Sequence, residues 1–341
     1  NQVNVYEAPQ ASFRFSDACE YDSTYFTNGS TISSGSIVSH SWDFGDGNIS
    51  SLQAPVHLFG FDSTFSVQLV VTSDQNCFDT FELAVDVDEV PIGGFSYTDI
   101  CFGDTAFFND TSFLMSGSLS SFEWDLGDGN LISGSSDTFR VYNAAGLYDL
   151  VQVIESDSGC LDTSISQIEV YEKPLAGFIV NDTCIGDTIS FIDTSIVGGS
   201  ANIVSYNWDM GDGNFYTVKD TMHAYLSVDT FDVSLIVTTS DACSDTLSKE
   251  VVSFPRPQIG FVADSTCLND TTFLRDTSVI AYGSIVNRLW ALGDGGFSLA
   301  QDTAYVYANP GLYQIRLAAM SNQGCIDSGS KEIRIYDSPE S

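Results

Sequence analysis

Basic residues and histidine are scarce in this chain, and helix-length apolar runs are missing from it. Eleven lysines and arginines and three histidines stand among 341 residues, against forty-six aspartates and glutamates. The resulting net charge of −35 repels nucleic acid and anionic lipid, so neither is an expected partner. The longest apolar runs fall far short of the ~18–20 residues that a membrane span needs, so no membrane insertion is expected. No basic, apolar segment resembling a signal peptide opens the sequence. Zinc would need CxxC pairs or a histidine near a cysteine, and neither is present. There is no GxSxG, and three histidines are too few for a repeated triad. Carboxylates are plentiful, but a glycosidase needs two held across a cleft, which narrow modules seldom provide. A catalytic role is not expected.

What is present is a repeat. Tryptophans fall at Trp42, Trp124, Trp208 and Trp290, and each opens a related hexapeptide: WDFGDG, WDLGDG, WDMGDG and WALGDG. Two cysteine series keep the same beat: Cys19, Cys101, Cys184, Cys267, and Cys77, Cys160, Cys243, Cys325. Prolines mark the joints at Pro9, Pro91, Pro174, Pro257 and Pro339. The period of about 83 residues divides the chain into domains at 1–89, 90–172, 173–255 and 256–338, with 339–341 beginning a further repeat. The sequence thus reads as a mature or excised piece of a longer array.

Within each repeat, Phe65–Thr72, Tyr148–Glu155, Phe231–Thr238 and Tyr313–Met320 are apolar at strand length, and Ser, Asp, Asn and Gly clusters separate such runs. No amphipathic helix of useful length is visible. With 43% apolar residues each repeat can bury a core. About seven short strands and one tryptophan per repeat fit an Ig-like sandwich, with Trp42, Trp124, Trp208 and Trp290 as core plugs on the third strand. The expected fold class is all-β: four tandem Ig-like sandwiches. The prolines leave almost no linker and stiffen the joints. Strands of about 7 residues span roughly 23 Å, so four repeats placed end to end would make a rod of roughly 140–160 Å.

The hexapeptide closely resembles the WDFGDG signature of PKD (polycystic kidney disease) domains, and the resemblance covers all four repeats. Pro55–Phe59 and the Gly-x-Tyr of Gly146–Tyr148 and Gly311–Tyr313 support it. The cysteine-bearing form, with CxGD at Cys101–Asp104 and Cys184–Asp187 and a later Gly-Cys, resembles PKD arrays in large surface proteins of gliding and filamentous bacteria of the Bacteroidota type. Two departures are visible: CEYD at Cys19–Asp22, and Ala291 where other repeats have Asp43, Asp125 and Asp209.

Eight cysteines, two per repeat, read as disulfides of an oxidising compartment. Two pairings stand open. Pairing within repeats gives Cys19–Cys77, Cys101–Cys160, Cys184–Cys243 and Cys267–Cys325. Yet in a simple Ig-like order the two cysteines of a repeat lie at opposite ends, and a disulfide tolerates Cα separations only up to about 7 Å. Pairing between repeats gives Cys19–Cys160, Cys101–Cys243 and Cys184–Cys325, and leaves Cys77 and Cys267 for units outside this chain. A bent first strand would rescue the local scheme.

The GDG aspartates Asp46, Asp128, Asp212 and Asp294 form tight turns. Together with Asp43, Asp125 and Asp209, and with acids of a neighbouring repeat, they are candidate ligands for structural calcium, which wants six to eight oxygens. No other cofactor is expected. His40, His57 and His223 carry no expected site: His57 aligns with Arg140, His223 and Tyr305, so its position changes freely. Asn28, Asn48, Asn109, Asn181 and Asn269 begin N-x-S/T sequons. Ser23, Ser63, Thr105, Thr188, Thr221, Thr246 and Thr303 follow an aspartate in a pattern resembling the O-glycosylation motif of Bacteroidota-type secreted proteins.

The expected function is a non-catalytic structural or adhesive stalk of an extracellular fibre or giant adhesin on a bacterial surface. Neighbouring repeats are its expected partners, with lateral self-association and surface polysaccharide as candidates. The alternative is an accessory spacer or polysaccharide-binding array of a secreted hydrolase. Its mark would be an exposed aromatic row repeated in phase, and none is evident in the sequence.

Overall fold

A computed structural model describes residues 5–337; Pro339 and the residues assigned to a further repeat lie outside them. Every regular element among the described residues is a strand. The chain divides into two compact units, Asn1–Tyr171 and Glu172–Ser341. Each holds Ig-like sandwiches in tandem.

The first sandwich shows the plan. Its strands are Phe13–Phe15 (β1), Ser23–Asn28 (β2), Ile37–Asp43 (β3), Ile49–Ser50 (β4), Val56–Leu58 (β5), Ser63–Ser73 (β6) and Phe78–Val87 (β7). One sheet has the order β1-β2-β5 and the other β4-β3-β6-β7. One face of each sheet meets water and the other the core, so buried residues alternate along β6: Phe65, Val67, Leu69, Val71 and Ser73. In register, Trp42 on β3 faces Leu69 on β6. A bulge between Ile37 and Ser39 recurs at Leu119/Ser121, Ile203/Ser205 and Ile285/Asn287. An extra residue there bends the strand and sets the face on which the following tryptophan points.

Each tryptophan is fully buried. Trp42 lies edge-on to Phe13 with centroids 5.0 Å apart, and Trp124, Trp208 and Trp290 meet Phe95, Phe178 and Phe261 in the same way at 5.1, 5.1 and 5.2 Å. The indole N–H of Trp42 donates to the Leu52 carbonyl at 2.9 Å, and that of Trp290 to Ala300 at 3.0 Å. A large apolar ring therefore fills the core without stranding its one polar atom. Loss of such a ring costs roughly 3–5 kcal/mol.

The segment between the first two long strands changes sheets. Phe95–Ser96 pairs in the three-stranded sheet, whereas Ile100–Cys101 crosses over and pairs parallel to the end of Leu161–Tyr171. Cys184 lies likewise opposite Phe254, Cys267 opposite Tyr336, and Cys19 beside Asp88. The first strand is thus bent, but the bend carries the first cysteine to the exit end of the last strand. The second cysteine sits at that strand's start. Ten or eleven residues of strand, roughly 33–36 Å, separate the two, so pairing within a repeat is ruled out by length.

Candidate functional site

Two structural sites recur with the repeat. One is the GDG turn. In the first copy Gly45 and Gly47 both have positive φ, 78° and 92°. A Cβ on Gly45 would stand 2.7 Å from the Ser66 carbonyl oxygen of β6, so glycine is required both by the dihedral and by the closeness of the next strand. Asp43 accepts from the Gly45 N–H at 2.9 Å, and Asp46 from the Asn48 N–H at 2.9 Å. Asp125 and Asp209 repeat the first bond, to Gly127 and Gly211. Ala291 lacks it, while Asp294 keeps the second, accepting from Gly296 at 2.9 Å.

The second oxygen of each GDG aspartate takes a donor from across the turn. His57 Nε2 lies 2.7 Å from Asp46, and His223 Nε2 2.8 Å from Asp212. Arg140 forms an ion pair with Asp128, and the Tyr305 hydroxyl donates to Asp294 at 2.9 Å. His, Arg, His and Tyr differ in charge and shape, but all present a hydrogen to the same carboxylate. The position that varies freely in sequence is therefore held to one role. In the first copy the imidazole also caps the core: His57 stacks on Phe44 with centroids 4.0 Å apart.

These bonds act on the carboxylates. Burial pushes Asp46 up, but hydrogen bonds from Asn48 and His57 outweigh it and leave the carboxyl below its usual range. Asp128 is lowered against the same burial by Asn130 and Arg140, and Asp212 by Asn214 and His223. Just beneath, the buried hydroxyls of Tyr142, Tyr225 and Tyr307 donate to the carbonyls of Leu126, Met210 and Leu292 at 3.1, 3.0 and 2.9 Å. Burial and then the nearby carboxylates raise these phenols.

Calcium does not fit this arrangement. Asp46 gives one oxygen to the Asn48 N–H and the other to His57 and the Asn48 amide, and Asp43 is turned to Gly45. Donor hydrogens stand where a cation would need free oxygen. Among the described residues no three His, Cys, Asp or Glu side chains are grouped to hold a metal ion. Acids do gather elsewhere in the first unit, where Asp62, Asp86, Asp88, Glu89 and Asp157 line an open cleft. There burial, then the charges of Asp86, Asp157 and Asp17, raise Asp88.

The second recurring site is the cysteine staple. Cys19 is bonded to Cys160 with Cα atoms 5.8 Å apart, and Cys184 to Cys325 at 5.6 Å. Both bonds join cysteines of adjacent repeats. Cys101 and Cys243 are disulfide-bonded as well. The pairings Cys19–Cys77, Cys101–Cys160, Cys184–Cys243 and Cys267–Cys325 are thereby overturned, for the strand-length reason given above. Cys77 and Cys267, expected among the disulfide cysteines, are free in this chain. In the second unit Arg256 reinforces the joint. It donates to the Ile185 carbonyl at 3.1 Å and the Ile326 carbonyl at 2.5 Å, and pairs with Asp187.

The remaining candidates scatter. Ser63, Thr188 and Thr246 are exposed, and Ser23, Thr105 and Thr303 half-buried. Thr221 is only 8% exposed at the start of a strand paired to Phe191, which leaves its hydroxyl little room for a sugar. His40 is engaged with Asn28 at 3.0 Å. A repeated exposed aromatic position that the sequence did not reveal does exist. Tyr25, Phe107 and Phe273 occupy one repeat position on the outer face of the three-stranded sheets and are 59%, 62% and 71% exposed; Ser190 holds that position in the remaining copy. The signal was the alternation of each with a core aromatic or leucine, Phe26, Phe108 and Leu274.

The family described as PKD domain matches residues 6–87, 171–254 and 253–335, well over half of the chain. A curated relative is the pre-pro-metalloprotease PrtV of Vibrio cholerae, 29% identical over 160 residues, which are 46% of this chain and 17% of the protease. A microbial collagenase of Vibrio alginolyticus is 42% identical over 52 residues, 15% of this chain and 6% of the collagenase. The chain thus spans a small part of either relative. The solved PKD1 domain of the Vibrio cholerae metalloprotease PrtV is 25% identical, covering 24% of this chain and 98% of that domain, with a TM-score of 0.23.

Proposed function

The chain belongs to the PKD domain family, and we propose that it serves, without a catalytic site, as a stapled array of four PKD units in the stalk of an extracellular surface fibre or large adhesin. The unit boundaries follow the repeat: 1–89, 90–172, 173–255 and 256–338. The carrying observation is the pair of disulfides that join adjacent repeats, Cys19–Cys160 and Cys184–Cys325. Folding one sandwich does not call for a bond to the next; resisting separation under pull does. Disulfides persist in oxidising surroundings outside the cytosol, and a net charge of −35 keeps an exposed array soluble. Mild protease treatment of intact producing cells tests the placement. Peptides of this chain in the released fraction support a surface fibre, whereas retention within the cell pellet sinks it.

A second reading has its own observation. The exposed Tyr25, Phe107 and Phe273 offer apolar faces of the kind that stack on sugar rings, which suits an accessory array touching polysaccharide, and two relatives are named as a metalloprotease and a collagenase. Retention on an insoluble polysaccharide, compared with the Y25A/F107A/F273A variant, decides it: equal retention, or none for either protein, removes this reading. Sugar at Ser63, Thr188 or Thr246 is checked by intact and peptide mass in native material.

A further inference from the structure

We propose that Cys77 and Cys267 are the two open halves of the same staple, and that each bonds the complementary cysteine of a cysteine-bearing PKD repeat outside residues 1–341. The two thiols are complementary in kind, one from each series. Both are already held as their bonded counterparts are. Cys267 lies opposite Tyr336, and the next N–H, of Leu268, donates to the Tyr336 carbonyl at 2.8 Å. At the bonded Cys184 the partner is Phe254, with the Ile185 N–H on its carbonyl at 2.9 Å. Cys77 sits in a hairpin whose Ser73 N–H donates to the Cys77 carbonyl at 2.8 Å, while the Cys77 N–H donates to Ser73 Oγ at 3.2 Å. The bonded Cys325 has the same pair of bonds with Ser321, at 2.8 and 3.1 Å.

Only the cover differs. Cys160 and Cys325 are buried, whereas Cys77 is half-buried, and Cys267 is exposed where Cys184 is half-buried. In the bonded staples that cover is the adjoining repeat: Cys160 Sγ lies 4.0 Å from the Asp88 carbonyl, and Cys325 Sγ 4.0 Å from that of Phe254. A thiol held in the staple geometry but left uncovered is fitted to one ligand, the opposite cysteine of another such repeat. The bond forms by thiol–disulfide exchange with a small disulfide oxidant. As the new S–S bond forms, the two thiols lose two protons and two electrons, and the oxidant's S–S bond takes them up and is cleaved to two thiols. Because the two ends differ, the contact is head-to-tail and links repeats in series.

The test mixes two variants of the 341-residue chain in oxidised glutathione. C77S keeps only the Cys267 end, and C267S only the Cys77 end. Each alone should stay monomeric, and the mixture should give a reductant-sensitive dimer with a Cys77–Cys267 linked peptide. Free or glutathione-capped thiols in the mixture, or same-residue dimers in either variant alone, overturn the proposal. In native protein, Cys267 linked to Cys77 identifies a second copy, and Cys267 linked to a cysteine outside this sequence identifies another repeat; an unlinked Cys267 there also counts against it. The idea rests on the stapled-stalk reading but fails separately, since a Cys19–Cys160 linked peptide survives either outcome.

Discussion

Stretching the first unit from its ends should reveal a hidden length set by one bond. Cys19–Cys160 closes a sequence separation of 141 residues. An extended chain reaches roughly 3.3–3.6 Å per residue, so the closed segment conceals about 470–510 Å of contour. With the bond intact, the sandwiches of that unit can lose their sheets under force yet release only the residues outside the bridge. Reduction should free the rest. Single-molecule force spectroscopy of the oxidised chain, tethered at the two ends of the first unit and repeated in reductant, which also opens the bond at Cys101, reads this directly. The same bond should also stabilise the unit at equilibrium by about 5 kcal/mol in the chain-entropy account, because the loop is long. Equal contour length in oxidising and reducing buffer would refute the reasoning. Two separate releases of about 200 Å, the length closed by pairing within each repeat, would refute it differently, by showing that the cysteines are bonded locally.

Further predictions follow from the turns. R140L leaves Asp128 without its charged donor and should cost about 1–3 kcal/mol in denaturant melts, whereas R140Y, which restores a hydroxyl as Tyr305 does, should recover part of that loss. Asp46, Asp128 and Asp212 are held below their ordinary 3.8 in the folded chain. The folded state therefore binds fewer protons there, and their stabilisation is full above about pH 4 and lost as pH falls through the lowered values; melting followed from pH 6 to 2 should show that decline, and a midpoint that rises across this range would contradict it. G45A should cost more than G47A: both glycines have positive φ, but only the first would drive a Cβ to 2.7 Å from backbone, while nothing lies within 4 Å of the second. Calcium should leave the melting midpoint unchanged apart from general screening, because the GDG oxygens are occupied; a saturable rise at fixed ionic strength would show that the carboxylates rearrange to bind it.

Much of the fold was legible because its signals are local. The in-phase tryptophans, the alternation of Phe65, Val67, Leu69 and Val71, and the GDG glycines each report on a few neighbouring residues. The site was less legible for two physical reasons. The donor to the GDG aspartate changes among His57, Arg140, His223 and Tyr305, so a reading by residue type sees free variation where a reading by hydrogen-bond capacity sees none. The exposed Tyr25, Phe107 and Phe273 each adjoin a core residue, and neighbouring apolar residues do not reveal which one points outward until the register is known.

The cysteine pairing was the hardest to read, and the stalk proposal rests on it. The choice depended on a length: whether the first cysteine stays near the start of its repeat or is carried to the exit of the last strand. The sheet switch at Ile100–Cys101 carries it there, and the same switch places Cys184 beside Phe254. The exit of a repeat is also where the main chain passes into the next. A staple at that place gives the joint a second covalent crossing beside the peptide chain. One crossing leaves a joint free to swivel about itself, while two crossings at different points restrict bending and twist together. Arg256, reaching carbonyls of Ile185 and Ile326 on either side of its joint, adds a third tie where the first unit has Val90 in the corresponding place. The Glu20 carboxylate reaches the Val90 N–H at 3.4 Å, a weaker bond than any Arg256 makes. R256A should therefore loosen its joint more than E20A, which removes the acceptor of the Val90 N–H, loosens the other, with both staples intact. Hydrogen exchange at Ile185 and Ile326, against Val90, measures the difference, and equal protection in the two variants would mean that the disulfides alone hold the joints.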